Sequence, residues 1–406
     1  WIGEIPDKWQ TRNLFYLLSL IGSGTTPKGD EYYTGIGIPW LNTGDLNDGY
    51  IYSTNKYVSE NALNDYSALQ VYKPGSIVIA MYGATIGKLG LTEIELTTNQ
   101  ACCVMNTTKE MDRKILFYIL MTAKDYFIFL SYGAGQPNIS QKTIKHLKIP
   151  FANICEQKKI ANYLDTKCSK IDEIIEKQLS IIEKLKEYKL SIITEAVTSG
   201  INPDVEMKDS GSVWFGNIPI NWEMKRLKYV FHIQKDIAGE EGHTVLSITQ
   251  RGIIPKDFSN NEGQFANSYA NYQLVHKGDF AMNHMDLLTG WVDISKYEGV
   301  TSPDYRVFVL NDKNGMCPKY YLYMMQMCYS ARIFYGLGQG VSGMGRWRLQ
   351  ADKFLNFHIP IPPYDEQKII ADYITDKVNH IEVEIDKRNK LIKKYQEYKK
   401  SLIYEV

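Results

Sequence analysis

At 406 residues the chain is too long for one small domain and has room for two or three domains of roughly 150 residues each. With 44% hydrophobic and 23% charged residues it has the composition of neither a disordered nor a fibrous protein. Basic and acidic residues number 46 each and cancel, so no global positive field marks a nucleic-acid partner, and any such site has to come from local asymmetry. No apolar run reaches the ~18 residues that span a bilayer. The best, 116–130, is interrupted by Lys124 and Asp125, so no membrane partner is expected. Six cysteines without a Cys-x-x-Cys pair are sparse for a disulfide scaffold, which points to a reducing cytoplasm. The sequence opens at Trp1 without a methionine, and a few preceding residues are expected.

Read in chain order, the sequence states one module twice. It opens Trp1-Ile-Gly-Glu-Ile-Pro-Asp-Lys-Trp9, and the frame returns as Trp214-Phe-Gly-Asn-Ile-Pro-Ile-Asn-Trp222. Each opening leads into a stretch rich in Gly, Tyr, Asn and Thr. Short β-type runs (76–81 and 101–105, then 306–310) lie between turn residues such as Lys73-Pro-Gly75 and Lys277-Gly-Asp279. Helical stretches at 114–130 and 319–334 are mixed in, so two α+β globules are expected. Tyr132-Gly-Ala-Gly-Gln136 then returns as Tyr335-Gly-Leu-Gly-Gln339, and Ile149-Pro150 with Glu156-Gln-Lys returns as Ile359-Pro360 with Glu366-Gln-Lys.

From 156 to 197 apolar residues recur at Ile171, Ile174, Ile181, Leu185 and Ile192, with Gln178 and Tyr188 completing the four-and-three spacing of a coiled-coil seam. The spacing repeats from 366 to 406 at Ile374, Val378, Ile381, Ile385, Ile392 and Leu402, with Arg388 and Tyr395 in the same series. Each helix would be about 60 Å long, and its seam needs a partner. The halves share a frame, so the second helix should run back along the first, giving an antiparallel pair with a globule at each end and an approximate two-fold axis. The expected divisions are 1–150 (first globule), 151–200 (central helix), 201–213 (linker loop), 214–360 (second globule) and 361–406 (distal helix).

Several strings imitate catalytic motifs. Gly83-Ala-Thr-Ile-Gly87-Lys88 has three residues between its glycines rather than four, and Leu89 where Ser or Thr would meet magnesium, so it reads as a turn. Asp204, Glu206 and Lys208 carry the letters of a metal-dependent nuclease but share one short linker instead of converging. Ile361-Pro-Pro-Tyr364 resembles an adenine methyltransferase loop whose first side chain holds the amino group, which an isoleucine cannot do. The seven histidines lack metal-ligand spacing, and His284-Met-Asp286 reads as structural or surface. The chain is therefore expected to be no enzyme, with no catalytic residue and no bound metal.

Binding chemistry is concentrated in matching places. Over 113–148, Arg113, Lys114, Lys124, Lys142, Lys145 and Lys148 face only Asp125; over 319–353, Lys319, Arg332, Arg346, Arg348 and Lys353 face only Asp352. Lys and Arg neutralise phosphates, glycine lets backbone come close to a ligand, and Gln, Asn and Arg read base edges through paired hydrogen bonds. The candidate DNA-binding residues are Lys88, Gln136, Asn138, Ser140, Gln141, Lys142 and Lys145 in the first half. In the second they are Asn283, His284, Arg306, Gln339, Arg346, Trp347 and Arg348. A flexible loop with solvated charges is the competing reading.

These features together resemble one family, the specificity subunits of type I restriction-modification enzymes. The resemblance rests on Trp-x-Gly-x-Ile-Pro-x-x-Trp in each half, Gly24-Thr-Thr-Pro27 with Ile38-Pro-Trp40, Gly83-Ala-Thr-Ile-Gly87 and the repeated Ile-Pro…Glu-Gln-Lys. It implies two target recognition domains that read a split double-stranded DNA sequence, one half-site each, across an unspecified gap of fixed length set by the helices. It also implies docking to modification subunits, which carry S-adenosylmethionine and methylate adenine N6, and to motor-nuclease restriction subunits, which use ATP and Mg. This chain would hold no cofactor itself. The second half has Ile233-Gln-Lys-Asp236 near the place of Gly-Thr-Thr-Pro, so its surface should differ. The alternative is a non-catalytic coiled-coil scaffold whose globules bind protein or carbohydrate. Strong salt dependence of ligand association separates DNA from that reading.

Overall fold

A strand run that is apolar at every position implies burial on both faces, and Ile77–Ala80 at the centre of the first sheet is built that way. In the computed structural model, which describes residues 1–131, 137–258, 266–340 and 347–406, the chain forms two units: Trp1–Gln178 with Lys390–Val406, and Leu179–Asn389. The first unit holds a five-stranded sheet in the order Leu18–Ser23, Cys102–Thr107, Ile77–Ala80, Leu89–Thr92, Gly49–Ile51. Cys103 pairs with Ile79 and Leu91 with Ile77, so alternate residues face opposite sides. Ile77, Ile79, Cys103 and Leu91 pack with Ile115, Leu116 and Leu120 of the helix Arg113–Thr122. Val78, Ala80, Cys102 and Val104 pack with Leu41, Leu46 and Tyr72 on the other side. The helix begins where it does because the Asp112 carboxylate accepts from the Lys114 and Ile115 amides.

The second unit repeats that frame with other contents. Its four-stranded sheet runs Phe231–Gln234, Arg306–Leu310, Phe280–Met282, Val292–Ile294, the order of the first four strands above. Aromatic rings fill its centre: Phe308 stands 4.9 Å from Phe231, 5.3 Å from Phe280 and 5.2 Å from Phe354, centroid to centroid. The small four-stranded sheet that holds Tyr33–Thr34 and Ile38–Leu41 in the first unit gives way to two antiparallel pairs, Leu246–Thr249 with Gly252–Pro255 and Gln273–Val275 with Gly299–Thr301. That change falls where the Gly-Thr-Thr-Pro motif is missing.

Both repeated motifs that flank the long helices have structural reasons. Gln10–Asn13 pairs with Lys148–Phe151, and Glu223–Arg226 with His358–Ile361, in matching antiparallel ladders. Ile149 and Ile359 are both fully buried there. Pro150 and Pro360 sit in two-stranded ladders, where a missing N–H is tolerated. The Gln of each Glu-Gln-Lys is buried and hydrogen-bonded to its own chain. Gln157 donates to the Glu110 and Ala152 carbonyls and accepts from the Asp112 amide. Gln367 donates to the Pro362 carbonyl and accepts from the Cys317 amide.

The long helices are Ile154–Ser199 and Tyr364–Glu405. In the first unit Ile171 shares a core with Leu402, Ile403 and Tyr395, and Lys399 Nζ lies 2.7 Å from Asp172. In the second, Lys189 Nζ lies 2.6 Å from Glu382. Of the seam positions, Ile171, Ile192, Ile374, Ile381, Ile385, Ile392 and Leu402 are buried, while Ile174, Ile181, Leu185 and Val378 are half-buried. Tyr188 is exposed, and Arg388 pairs with Glu384 at 2.7 Å. The stretch 201–213, expected as a loop, contains a strand, Met207–Asp209, paired with Asn217–Pro219. Lys208 donates to the Ile220 carbonyl at 2.8 Å, which gives that residue a structural use.

Candidate nucleic-acid interface

The Gly83 string is a turn joining Ile77–Ala80 to Leu89–Thr92. Gly83–Thr85 forms one 3₁₀ turn, and Gly83 and Gly87 take positive φ of 63° and 77°. The Gly83 amide donates to the Pro137 carbonyl and the Ile139 amide to the Met81 carbonyl, each at 2.9 Å, while Asn138 bridges to Tyr82. The turn and the segment after residue 137 therefore form one edge of the unit. It carries Lys88, Asn138, Ser140, Gln141, Lys142 and Lys145. Asn138, Ser140 and Lys142 are exposed; Lys88, Gln141 and Lys145 are half-buried. Ser140 caps the helix Gln141–Lys145 by accepting from the Thr143 amide at 3.1 Å, so its hydroxyl is already engaged.

The second unit has the same edge. The Asn283 amide donates to Trp291 as Ala80 does to Lys88, and the Leu349 amide donates to His284 as Ile139 does to Met81. Arg348 thus stands where Asn138 stands in the first unit, and the edge gathers Asn283, His284, Arg306, Gln339, Trp347 and Arg348. Gln339 and Arg348 face each other across a two-residue ladder, with Gln339 exposed. Gln136 and Arg346 lie outside the described residues.

Several of these side chains have internal work. The Asn283 amide oxygen accepts from the Met285 and Asp286 amides, closing a turn. Trp347 donates to the Tyr335 carbonyl at 2.6 Å and stacks on the Tyr335 ring. The glycines of Tyr335-Gly-Leu-Gly-Gln339 make room for the chain's own tryptophans. A Cβ on Gly338 would stand 2.6 Å from Trp347 Nε1, and one on Gly336 2.9 Å from Trp214 Cη2. Arg306 is only 5% exposed; its Nη2 donates to the Leu349 carbonyl at 2.9 Å and its guanidinium lies over Phe354. Its Nη1 is buried without a partner, and burial pulls its pKa down to about 10.

His284 sits between the charges. Burial first, then Arg306 and Arg348, pull its pKa down to about 3, so the imidazole is neutral in the folded chain. The unfolded chain binds a proton below the ordinary value of 6.5, and the folded chain does not until pH approaches 3. Stability is therefore full above pH 6.5 and is lost as pH falls through that window. Between pH 7 and pH 5 the loss should be on the order of 1–2 kcal/mol. Urea titrations at the two pH values should show it, and His284→Met, which installs the residue found at position 81, should reduce it.

Sequence reading missed the neighbours of Arg348. Its Nη2 is 3.8 Å from Asp304, its Nε lies against the Met285 sulfur, and a cavity of about 610 Å³ opens beside Asn283, Met285, Asp304 and Tyr305. These residues are scattered along the chain and share no motif. No helix among the described residues is long and apolar enough to cross a membrane.

The chain is thus two copies of one α+β frame, each with polar side chains along the same edge. The family described as "Type I restriction modification DNA specificity domain" matches residues 6–184 and again 219–394. The MjaVIII specificity subunit of Methanocaldococcus jannaschii is 25% identical over 96% of this chain and 91% of its own length. The putative MjaX specificity subunit of the same organism is 26% identical over 91% and 87%. A solved chain from work on complex assembly and conformational transition of the type I R-M system superposes with a TM-score of 0.70, at 12% identity, over 99% of this chain and 98% of that one. With both halves matched, the chain belongs to the type I restriction modification DNA specificity domain family, the DNA-recognition specificity subunits. The reading as a protein- or carbohydrate-binding scaffold has no support from these relatives.

Proposed function

We propose that this chain reads a split DNA target, with 1–150 and 214–360 as recognition domains for one half-site each, 151–200 and 361–406 as spacer helices, and 201–213 as the linker from the first spacer helix to the second domain. The edge residues Lys88, Asn138, Gln141, Lys142 and Lys145 contact DNA from the first domain, and Gln339 and Arg348 from the second. Gln136 and Arg346 belong to the same two loops. The chain does no chemistry. It docks modification subunits, which bind S-adenosylmethionine, and restriction subunits, which bind ATP and Mg. The observation that carries this reading is the double construction: strand order, paired ladder and buried Gln are built twice, while the loop contents differ between copies.

Expression with the modification subunit, followed by genome-wide mapping of methylated adenine, tests it. The expected outcome is a two-part motif with constant spacing. A continuous motif, or no new methylation from a demonstrably active assembly, overturns it. Net charge is zero, so the isolated chain should bind DNA weakly and with strong salt dependence.

A further inference from the structure

Asn138 and Arg348 hold one structural position in two chemical versions. Each precedes the residue whose amide donates to the carbonyl at the end of the third sheet strand, Ile139 to Met81 and Leu349 to His284. The Asn138 side chain makes no hydrogen bond among the described residues, and Asn138 is exposed. The Arg348 side chain is 42% exposed; its Nη2 lies 3.8 Å from Asp304 and its Nε donates to the Met285 sulfur at 2.6 Å. The Asn138 amide is thus presented at the edge with donor and acceptor both free among the described residues, and Arg348 keeps its Nη1 end free there while Nε and Nη2 meet Met285 and Asp304.

What lies behind them also differs. Cys103 pairs with Ile79 as Arg306 pairs with Met282, so a neutral thiol and a buried guanidinium hold matching places. Arg306 anchors the Leu349 carbonyl, the residue after Arg348, and forms no ion pair among the described residues. Its position fixes the backbone beneath Arg348, and its uncompensated charge favours an acceptor-rich ligand there.

We infer that Asn138 and Arg348 are the equivalent base-reading positions of the two domains, Asn138 reading adenine and Arg348 reading guanine, with Arg306 positioning Arg348. The inference rests on the DNA-reading function proposed above. An amide offers one donor and one acceptor, which match adenine N6 and N7; a guanidinium offers two donors, which match guanine N7 and O6. Lysine cannot reproduce the fork.

The test maps methylated adenines for the assembled wild type and for Asn138→Ala, Arg348→Gln, Arg348→Lys and Arg306→Met. Wild type should require a guanine in one half-site, and Arg348→Gln and Arg348→Lys should each relax that position alone, with discrimination falling about tenfold to a hundredfold. Asn138→Ala should relax one adenine in the other half-site. Arg306→Met should relax the same guanine, and the unchanged other half-site reports that the assembly is intact. A measurement on unaltered protein guards against misfolded variants: replacing the required guanine by 7-deazaguanine, which lacks N7, should weaken binding by the wild-type assembly about tenfold. A two-part motif left unchanged by all four substitutions, a relaxed position that is not guanine for Arg348, or indifference to 7-deazaguanine overturns the inference and leaves the function standing. Absence of any two-part motif in the wild type sinks the function itself.

Discussion

Phe308→Ala should lower the stability of the second unit by about 3–5 kcal/mol. Phe308 is fully buried, and its ring meets Phe231, Phe280 and Phe354, the last of which also carries the Arg306 guanidinium. Truncation opens a cavity at the junction of sheet and helices, and the surrounding rings cannot collapse to fill it without leaving their edge-to-face geometry. Chemical denaturation gives the loss. Hydrogen exchange should place it in residues 231–310, with the first unit unaffected. Tyr188→Ala, on an exposed helix face, should change stability by no more than about 0.5 kcal/mol. A Phe308→Ala chain as stable as that control would show that the ring cluster does not hold the unit together.

Gly24→Ala should cost about 3 kcal/mol in the first unit, near the upper end for overpacking. A Cβ at Gly24 would overlap the Thr98 carbonyl oxygen and stand 2.6 Å from its carbon. Both are backbone atoms, and Thr98 cannot retreat because it pairs with Leu41 in a parallel ladder. The glycine of the Gly-Thr-Thr-Pro motif is therefore a contact between two backbones. Its neighbour Thr25 offers a carbonyl that receives Trp40 Nε1 at 3.0 Å, which links this motif to Ile38-Pro-Trp40. In a methylation map, Gly24→Ala should blur one half of the target only, and denaturation should show the loss. A variant with wild-type stability would mean that the strand shifts freely there.

The duplication was legible because its markers are rare residues at fixed places: paired tryptophans, Ile-Pro and Glu-Gln-Lys. The long helices were legible because their four-and-three spacing is local, although burial along them does not follow that series throughout: Tyr188 is exposed, whereas Ile182 and Ile193, outside the series, are buried. Pairings between distant segments left no such trace. Nothing near Gln157 signals that its amide will bind Glu110, and nothing near Arg306 names Leu349, forty-three residues on, as its partner. The same limit explains the site residues. Composition nominated Ser140, Asn283 and Trp347 as ligand-binding groups, yet a cap, a turn and a ring stack occupy them. Residue type shows what a side chain can bond, whereas only the fold decides whether its own chain has already claimed it. The equivalence of Asn138 and Arg348 was hidden for a related reason, since the surrounding sequences diverge and only the backbone hydrogen bonds align them.

Each recognition domain begins on one strand of a short ladder and ends on the other, Gln10–Asn13 beside Lys148–Phe151 and Glu223–Arg226 beside His358–Ile361. Neighbouring strands lie about 4.8 Å apart, so everything between them is a loop-like insertion whose two ends almost touch. Genetic recombination inside either ladder would exchange a whole reading cassette while cutting only two backbone junctions, both of them in matching local structure. Under the DNA-reading function proposed above, such a chain would acquire a new target by shuffling inherited parts, without having to re-evolve a core.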